Sequence, residues 1–279
     1  MLNKLSPYNF KEKLKIIRYS IGAKLVNGVP KHIKSNYVLT NSLLNSQTAI
    51  QGDGYSLKFS QKINGKEFKF DLKKESSDAD VFDQIILEEE YKSIVSLLMK
   101  NKNKLNIVDC GANIGLTSLY LKAFFPNSQI VCLEPSEDTS NRMLNNFSIN
   151  GYNDINVLKK GLWSTVTKVK GDNSFRDGLD WSFRLVPAKP EEDTLFETTT
   201  VSEIVKNHSM ECIDFIKIDI EGGEDDVFSE KADLAWLERV NLIAIEIHDE
   251  FDCRERIESV LRSNNFNITY SGELTIGKR

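Results

Sequence analysis

A short β-branched strand that runs through a glycine-punctuated turn into a helix constrains this chain more than any other stretch. It reads Ile107-Val108-Asp109-Cys110-Gly111-Ala112-Asn113-Ile114-Gly115-Leu116-Thr117, and Leu119, Tyr120, Ala123 and Phe124 continue it with helical spacing. A strand feeding a helix through glycines brings backbone amides against a ligand where a side chain would collide. The next predicted strand, 129 to 133, ends at Glu134-Pro135. An acid at the end of a second strand is where an α/β domain usually holds a ribose diol. The two features together point to a nucleoside cofactor.

The loop also narrows which nucleoside. A dinucleotide site wants Gly-x-Gly-x-x-Gly so that a pyrophosphate can rest on the helix N-terminus. Here Asn113 stands where the second glycine would, and Asp109 immediately precedes the loop. An acid beside the loop repels a pyrophosphate but suits a cationic ligand carrying an amino-acid group, which describes S-adenosylmethionine. No Gly-Lys-Ser/Thr follows the turn, so a Walker-type phosphate loop is excluded.

With 279 residues, 40% hydrophobic and 28% charged, the chain can bury one large α/β core plus an accessory segment. No apolar run is long enough to span a bilayer, and Met1-Leu2-Asn3-Lys4-Leu5 lacks the apolar core of a secretory signal. Cys110, Cys132, Cys212 and Cys253 are scattered without a CxxC pair, so reduced core thiols and a cytoplasmic setting are expected. His32, His208 and His248 have no ligand-like spacing to these cysteines, which argues against a zinc site.

Charge is unevenly placed. The first 34 residues carry Lys4, Lys11, Lys13, Lys15, Arg18, Lys24, Lys31 and Lys34 against Glu12, about +7, leaving about −12 for the rest of a chain whose formal net charge is −5. Ile16, Ile17, Ile21 and Leu25 at helical spacing make residues 9 to 26 a basic amphipathic helix. It could dock on an anionic acceptor, a membrane surface or a partner chain, or pack on the acidic surface of its own domain. The acidic remainder argues against a nucleic-acid substrate.

Residues 35 to 54 read as polar and irregular, and 55 to 63 and 66 to 72 as a hairpin turned by Asn64-Gly65, whose edges could pair with a second subunit. Residues 81 to 100 read as one long helix. From 105 onward strands and helices alternate: strands at 105–110, 129–134, 155–159, 213–219, 240–247 and 267–271, with helices at 114–125, 136–149, 224–229 and 251–264. That order predicts a largely parallel sheet covered on both faces. Residues 163 to 200 interrupt it as an inserted hairpin or lid, and Glu273 to Ile276 gives a short final strand.

A second dense cluster follows at Asp214-Phe215-Ile216-Lys217-Ile218-Asp219-Ile220-Glu221-Gly222-Gly223-Glu224. Period two puts Lys217, Asp219 and Glu221 on one side of an apolar strand, at the carboxyl end where open α/β sheets collect ligands. An ion pair that merely orders the loop would also explain them. His248 ends the next strand, two residues after Glu246. It titrates near neutrality and could take a hydroxyl proton, with Asp219 or Glu221 as the second choice of base.

These residues resemble a known family. Asp109 to Thr117, Glu134-Pro135, Asp214 to Glu224 and Glu246-Ile247-His248 are similar to the FkbM family of S-adenosylmethionine-dependent methyltransferases, as are Phe82 to Tyr91 and Trp181-Ser182-Phe183-Arg184. The resemblance covers about residues 80 to 279 and makes 1 to 80 an accessory region. It implies a seven-stranded, mostly parallel class I methyltransferase sheet, Rossmann-like, with helices on both faces. It implies methyl transfer to a hydroxyl oxygen of a carbohydrate, glycan-like or natural-product acceptor, with S-adenosylhomocysteine as product. Carried over by position, Asp109, Gly111, Ala112, Asn113, Gly115 and Thr117 surround the methionine moiety, with Asp219 nearby. Glu134 and Pro135 take the ribose, and Gly161, Leu162 and Trp163 pass the adenine, although Gly161 stands where the pattern has alanine.

Asp219 and Glu221 could instead hold a divalent cation that orients a diol, but two acids on one strand make an incomplete site. The sequence therefore derives no metal. Three rival functions remain to set against methyl transfer to oxygen. A non-catalytic nucleoside-binding scaffold would keep the cofactor contacts and dispense with His248 and the acids. An amino or nucleic-acid methyltransferase lacks its Asn/Asp-Pro-Pro-Tyr/Phe signature here, and a dehydrogenase lacks the third glycine of its loop.

Overall fold

A computed structural model describes residues 50–52, 55–74, 76–99, 104–172, 184–188 and 195–279. The expected basic helix and Trp181 lie outside these residues. No helix among them is long and apolar enough to cross a membrane.

The accessory hairpin forms as its Asn-Gly turn requires. Strands β2 (Ser56–Ile63) and β3 (Lys66–Lys73) pair in register across Asn64 and Gly65, both at positive φ. A third strand, β1 (Ile50–Gly52), pairs with β2 in a stretch that reads as irregular. Leu57, Phe59, Phe68, Phe70 and Leu72 are buried, and Phe59 and Phe70 each meet the Phe82 ring at 5.0 Å, nearly edge-on.

Seven strands make the central sheet: β4 (Asn106–Cys110), β5 (Gln129–Leu133), β6 (Asn156–Leu158), β11 (Phe215–Ile218), β12 (Leu242–Glu246), β13 (Asn267–Ser271) and β14 (Leu274–Lys278). Their order is β13-β14-β12-β11-β4-β5-β6, parallel throughout except for β14, which runs against both neighbours. This is the mostly parallel sheet that the alternation predicts. The final strand pairs along its whole length and reaches Lys278, so the closing hairpin is fuller than Glu273 to Ile276 suggests.

Strand residues alternate between two apolar layers. Ile107, Ile130, Cys132 and Phe215 face α3 (Leu116–Phe124) and α4 (Glu137–Ile149), while Val108, Val131, Ile216 and Ile243 face α5 (Val201–Asn207) and α7 (Arg254–Ser263). The short helix expected after the second cluster is α6 (Glu224–Val227), whose Val227 joins the second layer. Cys110, Cys132 and Cys253 are buried and all four cysteines are free thiols, as their scatter predicts.

The stretch read as one helix over 81 to 100 is broken. α1 (Asp78–Phe82) passes into a π turn (Asp83–Leu87), and α2 (Lys92–Leu98) starts afresh after Glu89 at φ +53°. Two bonds hold the break: Gln84 Nε2 donates to Glu90 Oε1 at 3.0 Å, and Tyr120 Oη donates to Glu89 Oε1 at 3.3 Å. The extra residue of a π turn rotates the downstream side chains about the helix axis. Ile85 and Ile86 both enter the core, and Gln84 and Ile85 also border a cavity.

Three strands of the 163–200 insertion, β8 (Lys168–Asp172), β9 (Arg184–Pro187) and β10 (Leu195–Thr199), join β7 (Gly161–Leu162) just before it in a small sheet ordered β7-β10-β8-β9. The β8–β9 pair is the expected hairpin element. Sequence reading missed α5, though Thr200-Val201-Ser202-Glu203 carries the spacing of a capping box. Thr200 caps α5 by accepting from the Glu203 amide at 3.2 Å.

Candidate active site

A cavity of about 450 Å³ opens at the carboxyl ends of β4, β5 and β11. Open parallel sheets place ligands there because helix N-termini and loop amides converge at that edge. Its wall includes Gly111, Ala112, Asn113, Thr117, Glu134, Pro135, Gly161, Leu162, Trp163, Asp219 and Glu221. The structure thus gathers most of the sequence-predicted site into one space.

The β4–α3 loop is built for close approach. Gly111 sits at φ +76°, and a Cβ there would lie 1.7 Å from the Asp219 carbonyl oxygen, so β4 and β11 can meet only through glycine. The amides of Gly111 and Ala112 donate to Leu133 O at 3.1 and 2.9 Å. Asn113, at φ +49°, leaves its buried Oδ1 without a hydrogen-bond partner in the cavity wall. Such an acceptor wants a donor from a ligand.

Asp109 and Gly115 stand apart from that wall. Asp109 is fully buried behind the loop, accepting from Ser118 Oγ at 2.7 Å and lying 3.6 Å from Lys217 Nζ. Gly115 serves packing, since a Cβ there would strike the Phe147 ring at 2.5 Å. It lets α3 begin directly against α4.

Glu134 accepts from the Asn113 amide at 3.1 Å and from the Ser136 amide at 2.9 Å, one on each oxygen. Burial pushes its carboxyl up to about 7, although the two amides and Lys217 pull the other way. Glu134 borders the cavity, and each carboxylate oxygen can accept a second hydrogen bond, as a ribose diol would need. Gly161, Leu162 and Trp163 border the same end, joined by Lys160 and by Leu185 from the insertion.

The opposite end is crowded with acids. Glu90, Asp219, Glu221, Glu246 and Glu273 all border it. Lys217 answers part of that charge: its buried ammonium donates to Gly111 O at 2.7 Å and pairs with Asp219 at 3.1 Å. Burial opposes the charged form, yet Asp219 and Asp109 hold its pKa well above the ordinary lysine value. Lys217 therefore ties the two strand ends together and is an anchor of the site. Burial raises Glu90, with Asp219 and Glu273 adding to it. Burial also pushes Glu246 up to about 9.

His248, at the end of β12, is 2% exposed. Its Nδ1 lies 3.2 Å from Glu224 Oε1, and its Nε2 lies 3.2 Å from Glu221 Oε2 and 3.7 Å from Glu246 Oε1. Burial disfavours the charged ring, but Glu221 and Glu224 outweigh it and push the pKa up to about 11. The loop carrying these acids is itself tied back, since Glu224 accepts from the amides of Ile220 at 3.0 Å and Gly222 at 2.9 Å. Glu221 is held at φ +54°, a costly conformation for a non-glycine residue and one that clusters at functional sites.

Val81, Gln84, Ile85 and Glu90 also line the cavity, and sequence reasoning gave them no role there. Their polar members fit a solvated helix face equally well, and only the resemblance over Phe82 to Tyr91 signalled them.

Methyltransferase sdnD of Sordaria araneosa is 27% identical over 194 residues, covering 58% of this chain and 74% of that protein. Methyltransferase 1 of Beauveria bassiana (strain ARSEF 2860) is 21% identical over 192 residues, covering 58% and 72%. The N-terminal domain of human METTL16 superposes with a TM-score of 0.46 at 13% identity, covering 99% of this chain and 94% of that one. The Methyltransferase FkbM domain matches residues 109–268, more than half of the chain. With that match spanning the glycine loop, Glu134, the Lys217–Glu224 cluster and His248, the chain belongs to the FkbM family of S-adenosylmethionine-dependent methyltransferases.

Proposed function

We propose that this protein methylates a hydroxyl oxygen of a carbohydrate, glycan-like or natural-product acceptor. The observation that carries the reading is the polarity of one cavity. A ribose-type carboxylate, Glu134, stands at one end, and proton-accepting acids around His248 stand at the other. When bound, S-adenosylmethionine supplies an activated methyl on a sulfonium, which passes in line to an attacking oxygen and leaves S-adenosylhomocysteine.

The residues present fit that ligand. The unmatched Asn113 Oδ1 offers an acceptor to its ammonium, and Gly111 lets the ends of β4 and β11 close together to form the cavity wall. Asp109 acts from behind the wall by fixing Ser118 and Lys217. Thr117, Pro135, Leu162 and Trp163 shape the cofactor's cradle and exclude water, which the reaction needs because the protein's main task is alignment.

A hydroxyl is a poor nucleophile until its proton is drawn away. Carboxylates flank both nitrogens of the His248 ring, and we assign the proton-accepting role to the cluster of His248, Asp219 and Glu221. Acids on the neighbouring rim, including Asp80, Asp83, Glu88 and Glu89, would repel a phosphate backbone, which supports a small or glycan acceptor over nucleic acid. Buried free thiols support a reducing, cytoplasmic setting. The accessory region before residue 81 and the 163–200 insertion are the segments we assign to acceptor choice.

The test is methyl transfer from labelled S-adenosylmethionine to a panel of sugars and glycosides. Label in an alkali-stable ether is expected. Transfer only to amines would overturn the hydroxyl assignment, and transfer only to RNA would overturn the acceptor class.

A further inference from the structure

We propose that Asp219, Glu221 and His248 bind a divalent first-row transition cation that holds the acceptor's oxygen, an assignment that rests on the hydroxyl-methylation reading above. The sequence offers two acids. The fold adds the third ligand, because β12 lies beside β11 and delivers His248 to the same point. One ligand atom from each residue falls within 4.8 Å of the others. Ligands on one cation with bonds of about 2.1 Å stand up to roughly 4.2 Å apart, so small side-chain shifts would close the set.

His248 itself points to a ligand. Its Nε2 is buried and makes no hydrogen bond, though it lies 3.2 Å from Glu221 Oε2 and 3.7 Å from Glu246 Oε1. Oxygens gathered around a ring nitrogen without hydrogen-bond alignment suit a metal ion better than a shared proton. The other ring nitrogen, Nδ1, faces the fully buried Glu224 at 3.2 Å. A carboxylate behind the imidazole is the usual support of a metal-binding histidine, fixing its tautomer and orientation. Lys217 holds Asp219 through Oδ2 at 3.1 Å, and a carboxylate has a second oxygen to offer.

Two carboxylates and one imidazole form a mixed oxygen–nitrogen set, which suits Mn²⁺ or Zn²⁺ better than Ca²⁺. Three protein ligands leave positions open, and both Asp219 and Glu221 border the cavity. The acceptor class follows: a compound with adjacent oxygens, such as a vicinal diol, can complete the coordination and so present one hydroxyl to the methyl donor.

The experiment is titration of the chelator-treated full chain with Mn²⁺, following the spin resonance of the free ion, with Zn²⁺ titrated in parallel by calorimetry. S-adenosylhomocysteine binding is measured on each sample. One saturable site is expected, weakened at least tenfold in Glu221→Gln and in His248→Ala, with S-adenosylhomocysteine affinity within twofold of wild type. Glu221 is partly exposed, so Glu221→Gln stays informative if the buried histidine variant does not fold. Protein that binds S-adenosylhomocysteine but neither cation overturns the metal site and leaves the methyltransferase reading standing. Cation binding that both variants retain overturns the assignment of these ligands. Loss of S-adenosylhomocysteine binding in folded wild type counts instead against the reading beneath.

Discussion

Glu134 carries the most direct residue-level consequence. Its carboxyl is pushed up from 4.5 to about 7, so the folded chain holds a proton there between those values that the unfolded chain has released. Its ionisation therefore costs stability as pH rises from about 4.5 through 7, while the ionised form is the better acceptor for ribose hydroxyls. S-adenosylhomocysteine affinity is expected to weaken as pH falls below about 7, read by calorimetry across pH 5.5 to 8.5, and the Glu134→Gln variant should lose that dependence. Hydrogen bonds to a charged group contribute roughly 1.5–3 kcal/mol, so the same variant should bind at least about tenfold more weakly at pH 8. Gly111→Ala is predicted to abolish cofactor binding, since its Cβ would meet Asp219 O at 1.7 Å and force β4 and β11 apart. Sequence patterning identified both positions because each stands at a strand end. The family resemblance set Asp109 and Gly115 beside the cofactor as well; in the structure Asp109 meets Ser118 and Lys217 behind the cavity wall, and Gly115 packs on Phe147.

At the scale of elements, the junction between the accessory hairpin and α4 makes the clearest prediction. The outer edge of β3 is covered by side chains: Asn150 exchanges two bonds with Lys69, and the Asp71 amide donates to Asn146 Oδ1 at 3.1 Å. Asn146 Nδ2 also reaches Ile114 O at 3.2 Å in the cofactor loop. One buried asparagine thus joins hairpin, helix and site. Asn146→Ala strands two backbone groups and should cost about 1–3 kcal/mol by urea unfolding, with weaker cofactor binding as well. The strands themselves were legible, since Ile107-Val108 and Ile130-Val131 are buried on both faces and read as unbroken apolar runs. The break at Glu89 was not. The apolar spacing of 81 to 100 fits one helix, and only contacts from Tyr120 and within the π turn make the interruption favourable. The α5 helix was overlooked because it follows a polar insertion, though its capping residues were in view.

For the whole molecule, one cavity joins the sheet's two halves at the edge shared by β4 and β11, so a ligand there should stabilise the fold as a unit. At a hundredfold excess over its Kd, a ligand confined to the native state adds about 2.7 kcal/mol. In a chain of this size that is roughly 5–10 °C of Tm. The sheet and its ligand edge followed from alternation of elements, which is a global property of the sequence. The acceptor end followed only in part: Asp219, Glu221, Glu246 and His248 were read from adjacent strand ends, but Glu90 and Glu273 join them only when separate segments fold. The measurement closest to the central claim is calorimetric titration of the folded full chain with S-adenosylhomocysteine, S-adenosylmethionine and NAD. Saturable binding of both adenosyl ligands at one site, lost or sharply weakened in Glu134→Gln and absent for NAD, is the predicted result. Folded protein that binds neither adenosyl ligand, or binds NAD in their place, would contradict the account.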